Sequence, residues 1–353
     1  MPRFSAESLR VMAQSAFEAA GFGAEDAATI ASVMVESNLV GHDSHGVRHI
    51  PAYVERIRDG LVVAGAKVEV VMDGGALAVL DGGNTLGHVA ATRGMELAME
   101  RARTHGLAAV AVRNQEHVGR VGAYPEMAAR AGLVALTFCN AQGRGIQIAA
   151  HGGLDRRIGA NPIAAAFPNP DGDPLLLDIA TSQVAINKIR QAHDRGKPLP
   201  EGAIVDARGR ASTDPDDFLA RGGAALPLGG LVFGHKGFGL AVIVDLFAGV
   251  LGGAGTAAHA HPTRLNNGTF HIVLDPARFV AADAYDEGVR ELVRHLHAGP
   301  TLPGVAEVLL PGEFEARNRA LRQARGIEVD RPVWERITAT LADLGVQAPA
   351  PLV

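Results

Sequence analysis

Between Gly41 and Gly60 the chain reads GHDSHGVRHIPAYVERIRDG, and four of its side chains can do chemistry together: His42, His45, Arg48 and His49. Imidazole exchanges a proton near neutral pH, and guanidinium grips a carboxylate through two parallel N–H bonds. One short segment therefore offers proton transfer and anion binding, the combination a small carboxylate substrate requires. Val47, Ile50, Val54 and Ile57 recur at helical spacing, which predicts a helix with Ser44 capping its first turn and Pro51 bending it. On such a helix His45, Arg48 and His49 would project in adjacent directions. Two other readings stand beside this one. Imidazoles on one helical face could bind a metal, although there is no HExxH sequence and Arg48 raises the cost of a cation there. Alternatively the polar face simply meets water.

A second stretch, NQEHVGRVGAYPEMA at 114–128, places His117 after a predicted strand and before a glycine turn and helix, where functional groups are exposed at a sheet's end. His117 could relay the proton while the face carrying His45, Arg48 and His49 binds substrate, or the roles could be exchanged. Three glycine-rich segments follow the same logic: GGNTLG at 82–87, GRGIQIAAHGG at 143–153 and PLGGLVFGHKGFG at 227–239. Glycine lets backbone approach a phosphate or a flat ring. The third segment is the most suggestive because His235 and Lys236 accompany it. None is a GxGxxG or GxxxxGK[ST] phosphate loop.

The composition bounds these possibilities. The 353 residues are 47% hydrophobic and 20% charged, a balance that builds a core and argues against disorder. A formal charge of −5 without a long basic run excludes a nucleic-acid partner as the first reading. The single cysteine, Cys139, rules out an internal disulfide framework and reads as a buried small hydrophobe. The N-terminus lacks a signal-peptide core, and the apolar run 237–258 is interrupted by Asp245; a cytoplasmic chain with a buried helix there, and no membrane contact, is expected.

The elements that must position these residues can be placed in outline. Ser5 caps a first helix that Gly21 and Gly23 end, and a second runs from about Ala24 to Asn38. Residues 67–80 read as two strands joined at Asp73–Gly75, followed by a helix ending near Gly106 and a buried strand at 107–113. A helix around Glu126–Arg130 and the strand LVALTFCN repeat that order, which supports an α/β class. The turn-rich segment KPLPEGAIVDARGRASTDPDDF reads as a surface wrap or a cover over a site. A loop is expected at 259–268, then the strand TFHIVLDP at a sheet edge or within a sheet, then helices near 277–295, 312–325 and 332–344.

Taken together, GHDSHGVRHIPAYVERI, DGGNTLGHVAA, VRNQEHVGRVGAYPEMAARAG, GANPIAAAFP, DIATSQVAINKI and GGLVFGHKGFGLAVIVDLFAGVLGG resemble, in the same order, the malate/L-lactate dehydrogenase family. That family is unrelated to Rossmann-type lactate and malate dehydrogenases and includes ureidoglycolate dehydrogenase, sulfolactate dehydrogenase and imino-acid reductases. The resemblance implies an α/β, non-Rossmann fold in which a helical region from both chain ends (residues 1–120 completed by 300–353) embraces an NAD(P)-binding sheet region at 121–299. It implies a homodimer, a small carboxylate substrate, NAD or NADP as cofactor, and hydride transfer between a 2-oxo or 2-imino acid and a 2-hydroxy or amino acid. Motif by motif, His45 is the first candidate for proton exchange and His117 the second. Arg48 is the carboxylate anchor, with His49 and Arg120 as further substrate contacts. Asp178, Thr181, Ser182, His235, Lys236, Gly237 and Glu313 fall on segments like the family's cofactor-binding elements. Two features depart from the family pattern: Glu116 and Arg120 flank the second histidine, and GANP at 159–162 replaces the usual GTNP. A metal-dependent lyase or hydrolase built on His42, His45 and His49, and a non-catalytic dimer of the same fold, are the alternatives.

Overall fold

The computed structural model describes residues 1–259 and 266–352. The chain opens with β1 (Arg3–Phe4), α1 (Ala6–Ala19), α2 (Ala24–Leu39) and α3 (Ile50–Arg58), continues through β2 (Glu69–Asp73), β3 (Leu77–Thr85), α4 (Gly87–His105) and β4 (Leu107–Gln115), then α5 (Ala123–Arg130) and β5 (Val134–Ala141). Next come β6 (Ile146–Ala149), β7 (Arg156–Gly159), β8 (Ile163–Phe167), β9 (Leu175–Ile179), α6 (Ile186–Asp194), β10 (Ile204–Val205), β11 (Ala211–Ser212), α7 (Pro215–Leu219) and β12 (Ala224–Ala225). The chain closes with α8 (Gly230–Val244), β13 (Asn267–Leu274), α9 (Ala282–His297), α10 (Glu313–Arg325), β14 (Ile327–Glu328) and α11 (Arg331–Asp343). Of the loop expected at 259–268, positions 260–265 lie outside the described residues.

Both chain ends build one helical core. Phe17, Ile30 and Met34 from the first two helices meet Ile50 and Tyr53 of α3 and Ile337 and Leu341 of α11, all essentially without solvent contact. The short antiparallel pair β1–β14 ties Arg3 opposite Glu328 and so closes the ends together. Ser5 does cap α1, its Oγ accepting from Ser8 N at 3.0 Å.

Beside this core lies a seven-stranded sheet ordered β2-β3-β4-β13-β5-β8-β9, in which β3–β4 is the parallel pair and every other pairing is antiparallel. The strand TFHIVLDP is thus a central strand between β4 and β5. The boundary expected at 120/121 falls between two members of this one sheet, β4 and β5. A second sheet, β11-β10-β12-β6-β7, packs Ile148, Ile158, Ile204 and Ala225 against Ile189 of α6 and Phe218 of α7.

Three expectations are corrected. The segment 197–218 is more than a surface wrap: Ile204 and Val205 are strand residues buried in the smaller sheet, because the turn residues around them only connect very short strands. The helix expected to begin at Ser44 is two separate 3-10 turns, Asp43–His45 and Val47–His49, before α3 starts at Ile50. Pro51 sits in that first α-helical turn, where its missing N–H costs nothing, and so it starts the helix and does not bend it. Finally, the apolar run Gly230–Leu251 is only 33% buried over its most hydrophobic stretch, with Val232, Phe233, Val250 and Leu251 each more than half exposed. Asp245 within it is buried and fixed to the large sheet, accepting from Asn140 Nδ2 at 2.8 Å and Ala257 N at 3.0 Å.

Candidate functional site

The loop between α2 and α3 is held from below and above. Asn38, on the last turn of α2, donates to Asp43 Oδ1 (2.7 Å) and accepts from Val47 N (2.9 Å). Gly46 carries no side chain because the Asn38 amide fills that space; an added Cβ would lie 2.1 Å from its Oδ1. From the C-terminal α10, Arg322 grips both carboxylate oxygens of Asp43 at 2.6 and 2.9 Å, and Glu315 meets His42 Nε2 at 3.2 Å. Charge-assisted contacts of this kind fix a loop more firmly than neutral ones.

His45, His49 and His117 converge at the mouth of this loop. The rings of His45 and His117 stack with centroids 5.7 Å apart and planes 12° from parallel, and His49 lies 5.7 Å from His117 and 6.4 Å from His45. His49 Nε2 donates to the Ser44 carbonyl at 2.6 Å, an oxygen that also accepts from Asn187 Nδ2 of α6 at 3.1 Å. Ser44 Oγ bonds His45 Nδ1 at 2.8 Å, so the expected helix cap serves a catalytic candidate instead. Burial pulls His45 down to about 4 although Asp178 opposes it, and pulls His49 to about 3, with the neighbouring His45 adding to the effect. Burial, then the other imidazoles, also holds His117 well below the usual range. Burial thus favours the neutral form of all three rings.

Arg48 stands on the same loop, half-buried, with no hydrogen-bond or ion-pair partner among the described residues. Arg120 is different. Its buried guanidinium donates to Glu126 (2.7 Å) and Asp178 (3.3 Å), while Arg319 also reaches Glu126. Although burial raises Glu126, Arg120 and Arg319 bring it down to about 2. Arg120 and Asp178 thus form a framework pair beside His42, whose Nδ1 is 4.0 Å from Asp178.

Residues further along the chain form a second group. Thr181 Oγ1 donates to Ala160 O and Ser182 Oγ to Val184 O, both at 2.9 Å, so both hydroxyls hold their own turn. That turn joins the start of α8 through Leu228 N to Thr181 O at 2.9 Å and a strand-like bridge between Ser182 and Pro227. Gly237 is buried against Leu228, whereas His235 and Lys236 are exposed on the same helix. His235 meets His151 edge to face at 5.7 Å, and Gly234 lets His151 come close, since a Cβ there would be 3.2 Å from its Nδ1. An exposed ammonium with two imidazoles suits the phosphates of a dinucleotide, and the residues present fit that group. Glu313 stands apart: it accepts from Leu310 N at 2.8 Å and pairs with His297 at 3.1 Å, none of which belongs to the Thr181–Lys236 unit.

Several participants were not visible as such in the sequence. Tyr53 and Arg56 lie four and seven residues after His49, on the face of α3 turned toward His117; counting helical spacing from His49 would have found them. Tyr53 Oη is 2.6 Å from His117 Nδ1, and Arg56 pairs with Glu116. Burial, opposed by Arg56, pushes Glu116 up to about 7. The Asp43–Arg322 and His42–Glu315 contacts span most of the chain and leave no local signal.

Comparison with known proteins agrees with this arrangement. The sequence pattern of the malate/L-lactate dehydrogenase family matches residues 4–338, and the chain belongs to that family. It is 38% identical over 351 residues to an L-lactate dehydrogenase of Cupriavidus necator, covering 98% of this chain and 99% of that one. The structure of malate dehydrogenase from Pyrococcus horikoshii superposes with a TM-score of 0.90 at 30% identity, covering 98% and 97% of the two chains. Sulfolactate dehydrogenase from Methanocaldococcus jannaschii gives 0.87 at 31% identity, with 99% and 98% covered. The protein is therefore an oxidoreductase of the dehydrogenase type, with the mixed α/β fold of these relatives. The metal-dependent lyase reading is not favoured by this assignment.

Proposed function

We propose that the protein interconverts a 2-oxo or 2-imino acid and the corresponding 2-hydroxy or amino acid, using NAD or NADP. The stacked His45–His117 pair, together with Arg48 on the same loop, whose charge bears on His45 and which has no partner among the described residues, carries this reading. When bound, the nicotinamide supplies or accepts the hydride, and the exposed His235 and Lys236, with the Thr181–Ser182 turn at the head of α8, would hold the dinucleotide. Arg48 fixes the substrate carboxylate bidentately, which sets the position of the neighbouring carbon. His45 exchanges the proton at the substrate oxygen, and His117 faces the same oxygen from the stacked ring. Neutral imidazoles become easier to protonate once an anionic substrate enters, because its charge opposes the effect of burial. Water is kept out by the packed rings of His49 and Tyr53, 5.4 Å apart.

The exposed apolar residues of Gly230–Leu251 support a homodimer, since Phe233, Ile243 and Leu251 would otherwise be left to solvent. We further propose a cytoplasmic location, and expect no nucleic-acid partner. The test is an absorbance assay of NADH and NADPH consumption across oxaloacetate, pyruvate, sulfopyruvate and cyclic imino acids, with malate, lactate, sulfolactate and ureidoglycolate run in the oxidative direction. Turnover of at least one such acid with either cofactor is expected. Silence with all of them, together with stoichiometric bound zinc, would contradict the proposal.

A further inference from the structure

His45 and His117 stack as near equals, but their ring nitrogens meet different partners, and the difference decides what each can do. His117 Nδ1 faces Tyr53 Oη at 2.6 Å and the backbone N–H of Gly119 at 3.3 Å. A backbone N–H only donates, so Nδ1 of His117 must accept, and the ring's proton resides on Nε2. Adding a proton at Nδ1 would set two hydrogens against each other. The backbone itself cannot withdraw: Gly119 has φ +70°, and a Cβ there would lie 2.5 Å from His88 Nε2, so the turn is pinned against a buried ring. One residue earlier, His117 N donates to Glu116, which Arg56 holds from α3. Tyr53 and Arg56 on one helix face therefore clamp both the side chain and the main chain of His117. His45 has the opposite freedom, since its Nδ1 meets the Ser44 hydroxyl at 2.8 Å, a rotor that donates or accepts equally well.

We infer that the Gly119 N–H, with Tyr53 as a positioning residue donating to the same nitrogen, locks His117 in its Nε2–H form, so that His117 stays neutral and donates a hydrogen bond to the substrate oxygen while His45 alone gains and loses the proton. In reduction, hydride reaches the carbon, negative charge develops on oxygen, and the Nε2–H of His117 stabilises that charge without leaving its ring. The protonated His45 then gives up its proton to that oxygen and becomes neutral. In oxidation, neutral His45 takes the hydroxyl proton. This division of labour rests on the dehydrogenase reading above, whereas the tautomer of His117 does not.

The experiment has two arms on the full-length protein. In the first, histidine ring nitrogens are observed by NMR in 15N-histidine-labelled protein without ligand, with His117 assigned by comparison to His117→Gln. The inference expects a bare Nδ1 and protonated Nε2 at His117 from pH 5.5 to 8.5, and the same tautomer in Tyr53→Phe, where the Gly119 N–H remains, while circular dichroism is unchanged. A protonated Nδ1 at His117 in either protein would overturn it. In the second arm, kinetics use the 2-oxo acid that turns over fastest. Tyr53→Phe should lower kcat about tenfold with KM changed less than threefold, and His117→Gln, which keeps a donor, should retain at least tenfold more kcat than His117→Ala. Equal rates for Gln and Ala at 117 would overturn the donor role. Should no 2-oxo acid turn over, the dehydrogenase reading falls and the donor role falls with it, while the NMR arm still decides the tautomer.

Discussion

The histidine cluster and the long apolar helix are opposite kinds of structure. Around His45, His49 and His117 one nitrogen of each ring is held by another part of the same chain, through Ser44, Tyr53 and Gly119, with Asp43 and His42 held by α10. Along Gly230–Leu251 apolar side chains such as Val232, Phe233, Val250 and Leu251 are exposed, as are His235 and Lys236. The first region is preorganised by one chain's own folding, which suits chemistry that tolerates little misplacement. On the proposed function, the second would be finished by what binds to it, a cofactor at His235 and Lys236 and a second copy on its exposed apolar residues. Substitutions in the two regions should therefore fail differently, one losing rate within an intact fold, the other losing assembly or cofactor affinity.

The largest expected loss is in the first region. Replacing His45 with Ala should reduce kcat by about 10²- to 10⁴-fold, the range for removal of a proton-transfer group, with circular dichroism unchanged. Near-normal steady-state turnover in that variant would remove His45 from the chemistry. Arg48→Lys keeps the charge but loses the planar fork; a deficit of about 1.5–3 kcal/mol corresponds to roughly 10- to 100-fold in kcat/KM, mostly through KM. A substrate titration showing unchanged efficiency would assign the carboxylate to another residue.

The second region should respond in assembly. Phe233→Asp places a charge on a face where Phe233 is 57% exposed in the single chain, and light scattering should report a monomer in place of a dimer. A monomeric unmodified protein would show instead that the apolar face has another use.

The buried histidines also make the first region pH-sensitive. Burial lowers His88 and His271 to about 3, below the usual value near 6.5. Between those values the unfolded chain binds more protons than the folded one, so this contribution to stability is complete above about pH 6.5 and declines as pH falls toward 3, by up to about 1.4 kcal/mol per pH unit for each ring. Urea unfolding measured from pH 7 to pH 5 should show the loss, and a flat profile would mean that these rings take up protons in the folded chain as readily as in the unfolded one. Smallest of all, Lys236→Met should raise the cofactor KM by a few-fold and leave kcat nearly unchanged, as removal of one exposed charge from an anion site does.

How far the sequence carried these conclusions follows the range of the interactions. Helices α1, α2 and α11 were legible because capping and spacing are local: Ser5, Gly21, Gly23 and Pro332 all act within a turn of their own position. The order of motifs likewise brought His45, Arg48 and His117 to notice. What local pattern misread was tertiary. Val47 and Ile50 are buried as expected, yet Asn38 and Asp43 divert the intervening backbone into 3-10 turns. Apolarity at 230–251 indicated burial, but did not say whether the chain itself or a second molecule supplies it. Arg120 is expected as a substrate contact from its motif; only the fold reveals that Glu126 and Asp178 hold its Nη2 and Nε, while its buried Nη1 has no partner among the described residues.

The most direct measurement is a crystal structure with NADH or NADPH and oxamate, an unreactive 2-oxo acid mimic. The account predicts the oxamate carboxylate on Arg48 and its carbonyl oxygen within hydrogen-bond reach of His45 and His117, with the nicotinamide ring stacked against the carbon between them. A nicotinamide lying far from all three side chains, in every pairing of subunits, would contradict it.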